Sequence, residues 1–155
     1  MSATTIQAPA CSEVTELMKD LFGLNVSESS PTVHPLYSIA EYCNPDGEAV
    51  GYMACDLATG CRLGAALTQV PAGRVDEAVK DGAMPENLAE NLYEVFNISV
   101  NLIAPEGVRL VLNRVAQINQ TDTYNELKEK LEAAQSTQYG FDVARYGVCC
   151  LTIAG

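Results

Sequence analysis

A chain of 155 residues with nine Lys and Arg against twenty Asp and Glu carries a formal charge of −11, which repels phosphate backbones and anionic lipid and excludes nucleic acid and membrane surfaces as partners. Its length suits one domain that buries about two thirds of the surface exposed when unfolded, with no disulfide or metal needed for a core. With 48% hydrophobic residues, no apolar run near the roughly 18 residues that cross a bilayer, and an N-terminus, MSATTIQAPA, lacking a basic region or an apolar core, the expected location is cytoplasmic.

Residues 1–11 read as a loose segment and 12–155 as a single domain. SEVTELMKDLFG places Val14, Leu17, Met18, Leu21 and Phe22 on one helical stripe, with Ser12 to cap its start and Gly23 to end it. A polar loop, NVSESSPT, precedes three strand-like runs: VHPLYSIAEYC to the turn NPDG, EAVGYMACDL to ATG, and CRLGAALTQV to Pro71. Turn signals this close together predict an antiparallel meander. GRVDEAVKDG reads as a short helix. A longer helix follows, with Pro85 near its first turn, where a missing N–H costs nothing.

GVRLVLNRVAQI alternates like a half-buried strand. The inserted helix at about 122–136 begins in TDTYNELKEKLEAAQS, with a capping-box pattern at Thr123 and Glu126. YGFDVARYGVCCLTIAG reads as two strands joined near Gly147. With the short and inserted helices set aside, a helix followed by three strands occurs twice, which predicts an α+β domain with helices packed on an antiparallel sheet.

The helix containing AENLYEVFNISVN holds the candidate site. At roughly 100° per residue, Glu86, Glu90, Glu94, Asn97 and Asn101 fall within an arc of about 80°, opposite Leu88, Leu92, Val95 and Phe96. A solvated face usually mixes signs, whereas these glutamates stack at i, i+4 with no lysine, costing about 0.2–0.5 kcal/mol per pair. Asn87, Asn91, Asn97 and Asn101 add mediocre helix formers whose amides pair donors with acceptors, suited to placing a water or ligand oxygen. The spacing E-x-x-N recurs at Glu41 and Asn44, but there it lies on a strand, where i and i+3 face opposite ways.

Glu90, Glu94 and Asn97 resemble the motif of the CheC/CheX-type chemotaxis phosphatases, and the order of meander, short helix and motif helix is similar too. The resemblance covers most of the chain from about Ser12. It implies hydrolysis of the aspartyl phosphate on a CheY-like response regulator, chemistry that asks mainly for an in-line water and organised charge. Asn97 would orient the water, and Glu94 would pair with the lysine beside the regulator's phosphoryl group. Glu86, Glu90 and Asn101 would lie in the docking surface.

By the same resemblance the partner is a phosphorylated receiver domain, no cofactor belongs to this chain, any Mg²⁺ is the regulator's, and a homodimer is implied. The family usually has Asp or Ser at the place of Glu90, Gly at that of Asn101, and a proline near Gln120. These differences imply an alternative: a non-enzymatic module that binds a receiver domain or flagellar-motor component through the same helix.

Elsewhere the chain offers little chemistry. His34 is the single histidine, so no triad or multi-histidine metal site forms within one chain. Cys11, Cys43, Cys55, Cys61, Cys149 and Cys150 contain no C-x-x-C pair and read as buried free thiols. The sequons at Asn25, Asn97 and Asn119 would need a secretory route. No phosphate-binding loop or EF-hand spacing occurs.

Overall fold

A computed structural model describes residues 6–155. In chain order its elements are α1 (Cys11–Phe22), β1 (Val26–Ser29), β2 (Leu36–Cys43), β3 (Ala49–Asp56), α2 (Leu57–Thr68), α3 (Ala72–Asp81), α4 (Glu86–Ile103), β4 (Val111–Gln117), α5 (Thr121–Ala133), β5 (Ser136–Val143) and β6 (Gly147–Ala154). The strands form one antiparallel sheet in the order β1-β5-β6-β3-β2-β4. Exchanging β1 with β4, β2 with β5 and β3 with β6 reverses that order, and α1 and α4 exchange likewise. The doubled helix-plus-three-strand unit read from the sequence is therefore present, in an α+β domain.

Its membership differs in the first half. CRLGAALTQV belongs mostly to α2 and is not the third strand. The third strand is β1, within the segment read as a polar loop, whose Val26–Ser29 pair with Gly140–Val143 of β5. The meander shrinks accordingly to the β2–β3 hairpin. Gly60 and Gly64 disguised α2, because glycine lowers helix propensity and a helix buried on most sides shows no polar stripe.

Packing explains the glycines: a Cβ on Gly64 would stand 2.5 Å from the Leu88 carbonyl oxygen, and one on Gly60 would stand 2.6 Å from the Met84 methyl. The backbone of α2 thus runs against α4. Asn91 locks the contact, its Nδ2 donating to Gly64 O at 2.9 Å and to Thr68 Oγ1 at 2.8 Å.

The caps correct two further expectations. Gly23 ends α1 in the left-handed region at φ 67° and donates to Lys19 O, but the helix starts after Ala10, whose N–H donates to Glu13 Oε1 at 2.9 Å, and Ser12 is not the cap. α5 starts after Gln120, so Thr123 lies inside the helix and its capping box with Glu126 does not form. Residues 1–5 of the segment expected to be loose lie outside the described residues. Residues 6–10 belong to no helix or strand but are tied down, Gln7 N–H donating to Ile103 O at 2.7 Å and the Tyr139 hydroxyl to Pro9 O at 2.7 Å.

The main core lies between one sheet face and α1, α2 and α4, around Met18, Tyr42, Leu63, Leu92, Phe96 and Phe141. α5 covers part of the other face, its Tyr124, Leu127 and Leu131 packing over Ile39, Tyr52 and Ala54. Cys43, Cys55, Cys61, Cys149 and Cys150 are buried, Cys11 is half-buried, and all six are free thiols. Burial pushes the Cys149 thiol up to about 12 and Cys61 to about 11, which keeps both protonated and unreactive. No helix among the described residues is long and apolar enough to cross a membrane.

Alanine should therefore act oppositely at two helical glycines. Gly73 in α3 has nothing within 4 Å of a built Cβ, so Gly73→Ala should stabilise by about 0.5–1 kcal/mol through propensity. Gly64→Ala should destabilise by about 1–2 kcal/mol, because overpacking against the Leu88 backbone outweighs the same gain. Denaturant unfolding of the two variants measures both signs.

Candidate functional site

α4 presents the acidic strip because its other side is fully used. Leu88, Leu92, Val95, Phe96, Ser99, Leu102 and Ile103 are buried. Beneath the middle of the helix the Tyr42 hydroxyl donates to Phe96 O at 2.6 Å, and Ser99 Oγ donates to Val95 O at 2.6 Å. Burial, and secondarily the nearby Cys55 thiol, pushes the Tyr42 hydroxyl well above its ordinary range, so it stays protonated as a donor. The Tyr42 bond, made from the sheet, fixes the rotation of α4 about its axis directly below residues 94–97, while the Ser99 bond lies within α4 and satisfies a buried hydroxyl.

All five strip residues, Glu86, Glu90, Glu94, Asn97 and Asn101, are exposed. Glu86, Glu90, Glu94 and Asn97 make no side-chain hydrogen bond or ion pair with any described residue. Asn101 differs, since its Nδ2 donates to Ile98 O of its own helix at 3.1 Å. Asn91 is spent on α2, which removes it from the set of available amides. Among the described residues no group of His, Cys, Asp and Glu could hold a metal ion.

The strip runs between two grooves. Glu86 and Glu90 line one of about 460 Å³ against β4, with Ala89, Tyr93, Val115 and Gln117. Asn101 lies in another of about 530 Å³ beside α1, with Glu13, Glu16 and Asp20. Glu94 and Asn97 line neither; they stand on the ridge between. Tyr93, 44% exposed, is the residue that sequence reasoning passed over. Its signal was available, since at roughly 100° per residue it falls only about 20° outside the arc, next to Glu86. The acids of α1 had no such signal, because only the fold brings α1 alongside α4.

Against known proteins, no family model matches the chain, and no curated protein matches it. It is similar in structure to the FliM middle domain of Vibrio alginolyticus, at a TM-score of 0.47 and 7% identity over 94% of this chain and 87% of that one. It is also similar to a structure of the CheX–CheY complex with BeF₃ and Mg²⁺ from Borrelia burgdorferi, at a TM-score of 0.44 and 12% identity, covering 93% and 94% of the two chains. At those identities it is the side chains of α4 that carry a functional reading.

The second E-x-x-N pair shows what a purely structural use looks like. Glu41 is 2% exposed; its Oε1 accepts from Asn113 Nδ2 and Arg114 Nε, each at 2.9 Å, and Lys130 Nζ lies 3.5 Å from Oε2. Arg114 also reaches Glu126 of α5 at 2.6 Å. Asn44 Oδ1 accepts the Asp46 and Glu48 N–H groups at 3.0 Å each, which closes the β2–β3 turn.

Burial alone would raise the Glu41 carboxyl, but hydrogen bonds from Arg114 and Asn113 and the charges of Arg114 and Lys130 outweigh it and hold the carboxyl below its ordinary value of 4.5. The network consequently stabilises fully above about pH 4.5 and loses its contribution as pH falls through the lower, folded value. Glu41→Gln should lose about 3 kcal/mol at pH 7 and flatten the acid limb of the stability curve, measurable by urea unfolding between pH 3 and 7.

Proposed function

We propose that the exposed face of α4 acts on the phosphorylated receiver domain of a CheY-type response regulator and hydrolyses its aspartyl phosphate. The observation that carries this reading is the state of Glu94 and Asn97: both exposed, one turn apart on the same helix face, and engaged by no other described side chain. An unengaged carboxylate beside an unengaged carboxamide, on a helix held from the sheet by Tyr42 and against α2 by Asn91, is a rigid pair of polar groups offered to a partner.

An acyl phosphate already has a good leaving group, so its hydrolysis gains most from an attacking water held in line and from ordered charge. The Asn97 carboxamide has a donor and an acceptor to orient that water and no basicity to deprotonate it. Glu94 supplies the negative charge for a lysine beside the phosphoryl group, which aligns the two surfaces. Mg²⁺ in such a complex belongs to the receiver domain. The acids of both grooves favour approach of a surface bearing positive charge.

A second reading keeps the docking and omits the hydrolysis. It is favoured by Glu90, longer than the Asp or Ser of the resembling family, and by Asn101, whose side chain occupies a position that family leaves to glycine. The face would then serve as an adaptor for a receiver domain or a flagellar-motor component.

Loss of label from a phosphorylated CheY-type receiver domain of the same organism separates the two readings. The parent protein should accelerate the loss, and Asn97→Ala should remove about 10²-fold of the acceleration, the scale of losing one positioning group. Glu94→Ala should reduce it at least tenfold. Both side chains are exposed, so the thermal midpoint should stay within about 1–2 °C of the parent. Binding without acceleration would identify the adaptor. Neither binding nor acceleration with any receiver domain of that organism would overturn both readings.

A further inference from the structure

The groove between α4 and β4 has features that the chemistry at Glu94 and Asn97 does not require. Tyr93 places an aromatic ring, 44% exposed, in the midst of a polar helix face. Across the groove stands Val115 of β4, with Ala89 between them and Glu86 and Glu90 on the helix side. A large aromatic left in water beside an aliphatic wall forgoes burial that a partner would restore, and Tyr is among the residues that most often anchor interfaces.

β4 is the terminal strand of the sheet, which raises strand addition as the way to fill the groove. The backbone blocks it at Gln117, the last residue of β4. The outward N–H of Gln117 donates to Gln120 Oε1 at 2.8 Å, and its carbonyl accepts from Gln120 N at 2.8 Å. The next residue turns inward, Ile118 N donating to Tyr37 O at 2.8 Å. With Gln120 filling both polar groups of Gln117, a strand added along β4 would lose its pairing at this end, and recognition of an occupant falls to the groove's side chains.

Its charge follows from the rim. Glu86 and Glu90 are stacked at i, i+4 with no cation among the described residues engaged to either, an arrangement that repels itself and that a lysine or arginine relieves. A second copy of this chain, at a net charge of −11, brings the wrong sign. A lysine or arginine side chain also has the right shape, an aliphatic stem for Tyr93 and Val115 and a cationic head for the carboxylates.

We propose that this groove is a second contact for the regulator, seating a lysine or arginine and an apolar neighbour on the receiver-domain surface that flanks the phosphoryl site. The assignment rests on the reading of α4 given above. The two contacts fit one partner: Tyr93 lies one turn from Asn97 and Glu90 one turn from Glu94, and from Glu86 to Asn97 groove and ridge are spanned by about 16 Å of helix. The groove then sets affinity and choice of regulator, and the ridge performs the chemistry.

The test titrates a CheY-type receiver domain of the same organism, held active with beryllofluoride and Mg²⁺, and follows decay of its phosphorylated form. Tyr93→Ala should weaken binding about tenfold, the effect of losing an interface anchor, with the loss in the decay assay appearing in KM. Tyr93→Phe, which keeps the ring, should restore most of the affinity. Glu86→Gln with Glu90→Gln should weaken binding several-fold at low salt, and the difference should close as salt is raised towards 1 M.

Parent-like binding by Tyr93→Ala and by the double variant, with turnover lost in Asn97→Ala, would overturn the groove assignment and leave the reading of α4 standing. A parent protein that neither binds nor accelerates any receiver domain of its organism would overturn that reading, and the groove assignment with it.

Discussion

The backbone contact between α2 and α4 is the constraint on which the candidate site depends. Gly64 lets the two helices approach until a single added carbon would collide with the Leu88 carbonyl. Asn91 then spends its amide on Gly64 and Thr68, and from the sheet side Tyr42 donates to the Phe96 carbonyl. With contacts from two directions, α4 has one rotation about its axis in which its apolar residues are buried and its backbone bonds are met. The polar strip is what that rotation leaves outside. Rigidity of this kind matters for a site that works by positioning, since a misplacement of about 1 Å removes much of the benefit.

The same spacing, E-x-x-N, meets opposite fates in the two places it occurs. On β2, alternation sends Glu41 to the face under α5, where Arg114, Asn113 and Lys130 surround it; Asn44 falls beyond the strand and closes a turn. On α4, three residues make almost one turn, so Glu94 and Asn97 share a face. The first pair is consumed in holding the fold together. The second has nothing to hold, and its exposure is what makes it a candidate for work on a partner.

Much of the fold was legible because local patterns were strong where burial was one-sided. The stripe of α1, the strip of α4, the alternation of β4 and the hairpin turn at NPDG each followed from a period or from turn chemistry. The failures had two causes. α2 is buried on most sides, so its apolar run carried no period to separate helix from strand, and its glycines, chosen for contact with α4, weakened the local helical signal. β1 is four residues long and mostly polar; it is a strand because β5, more than a hundred residues later, offers it backbone partners.

The chain by itself determined the candidate pair, because a helical period converts spacing into a shared face with no further information. It also determined the sign of the surface and the pairing of a helix with three strands, twice. The tertiary structure alone decided which three strands those were, that Asn91 and Glu41 were already engaged, and that Tyr93 borders a groove beside the strip. Those features depend on contacts between residues far apart in sequence, where close approach and unpaired backbone groups select the partner.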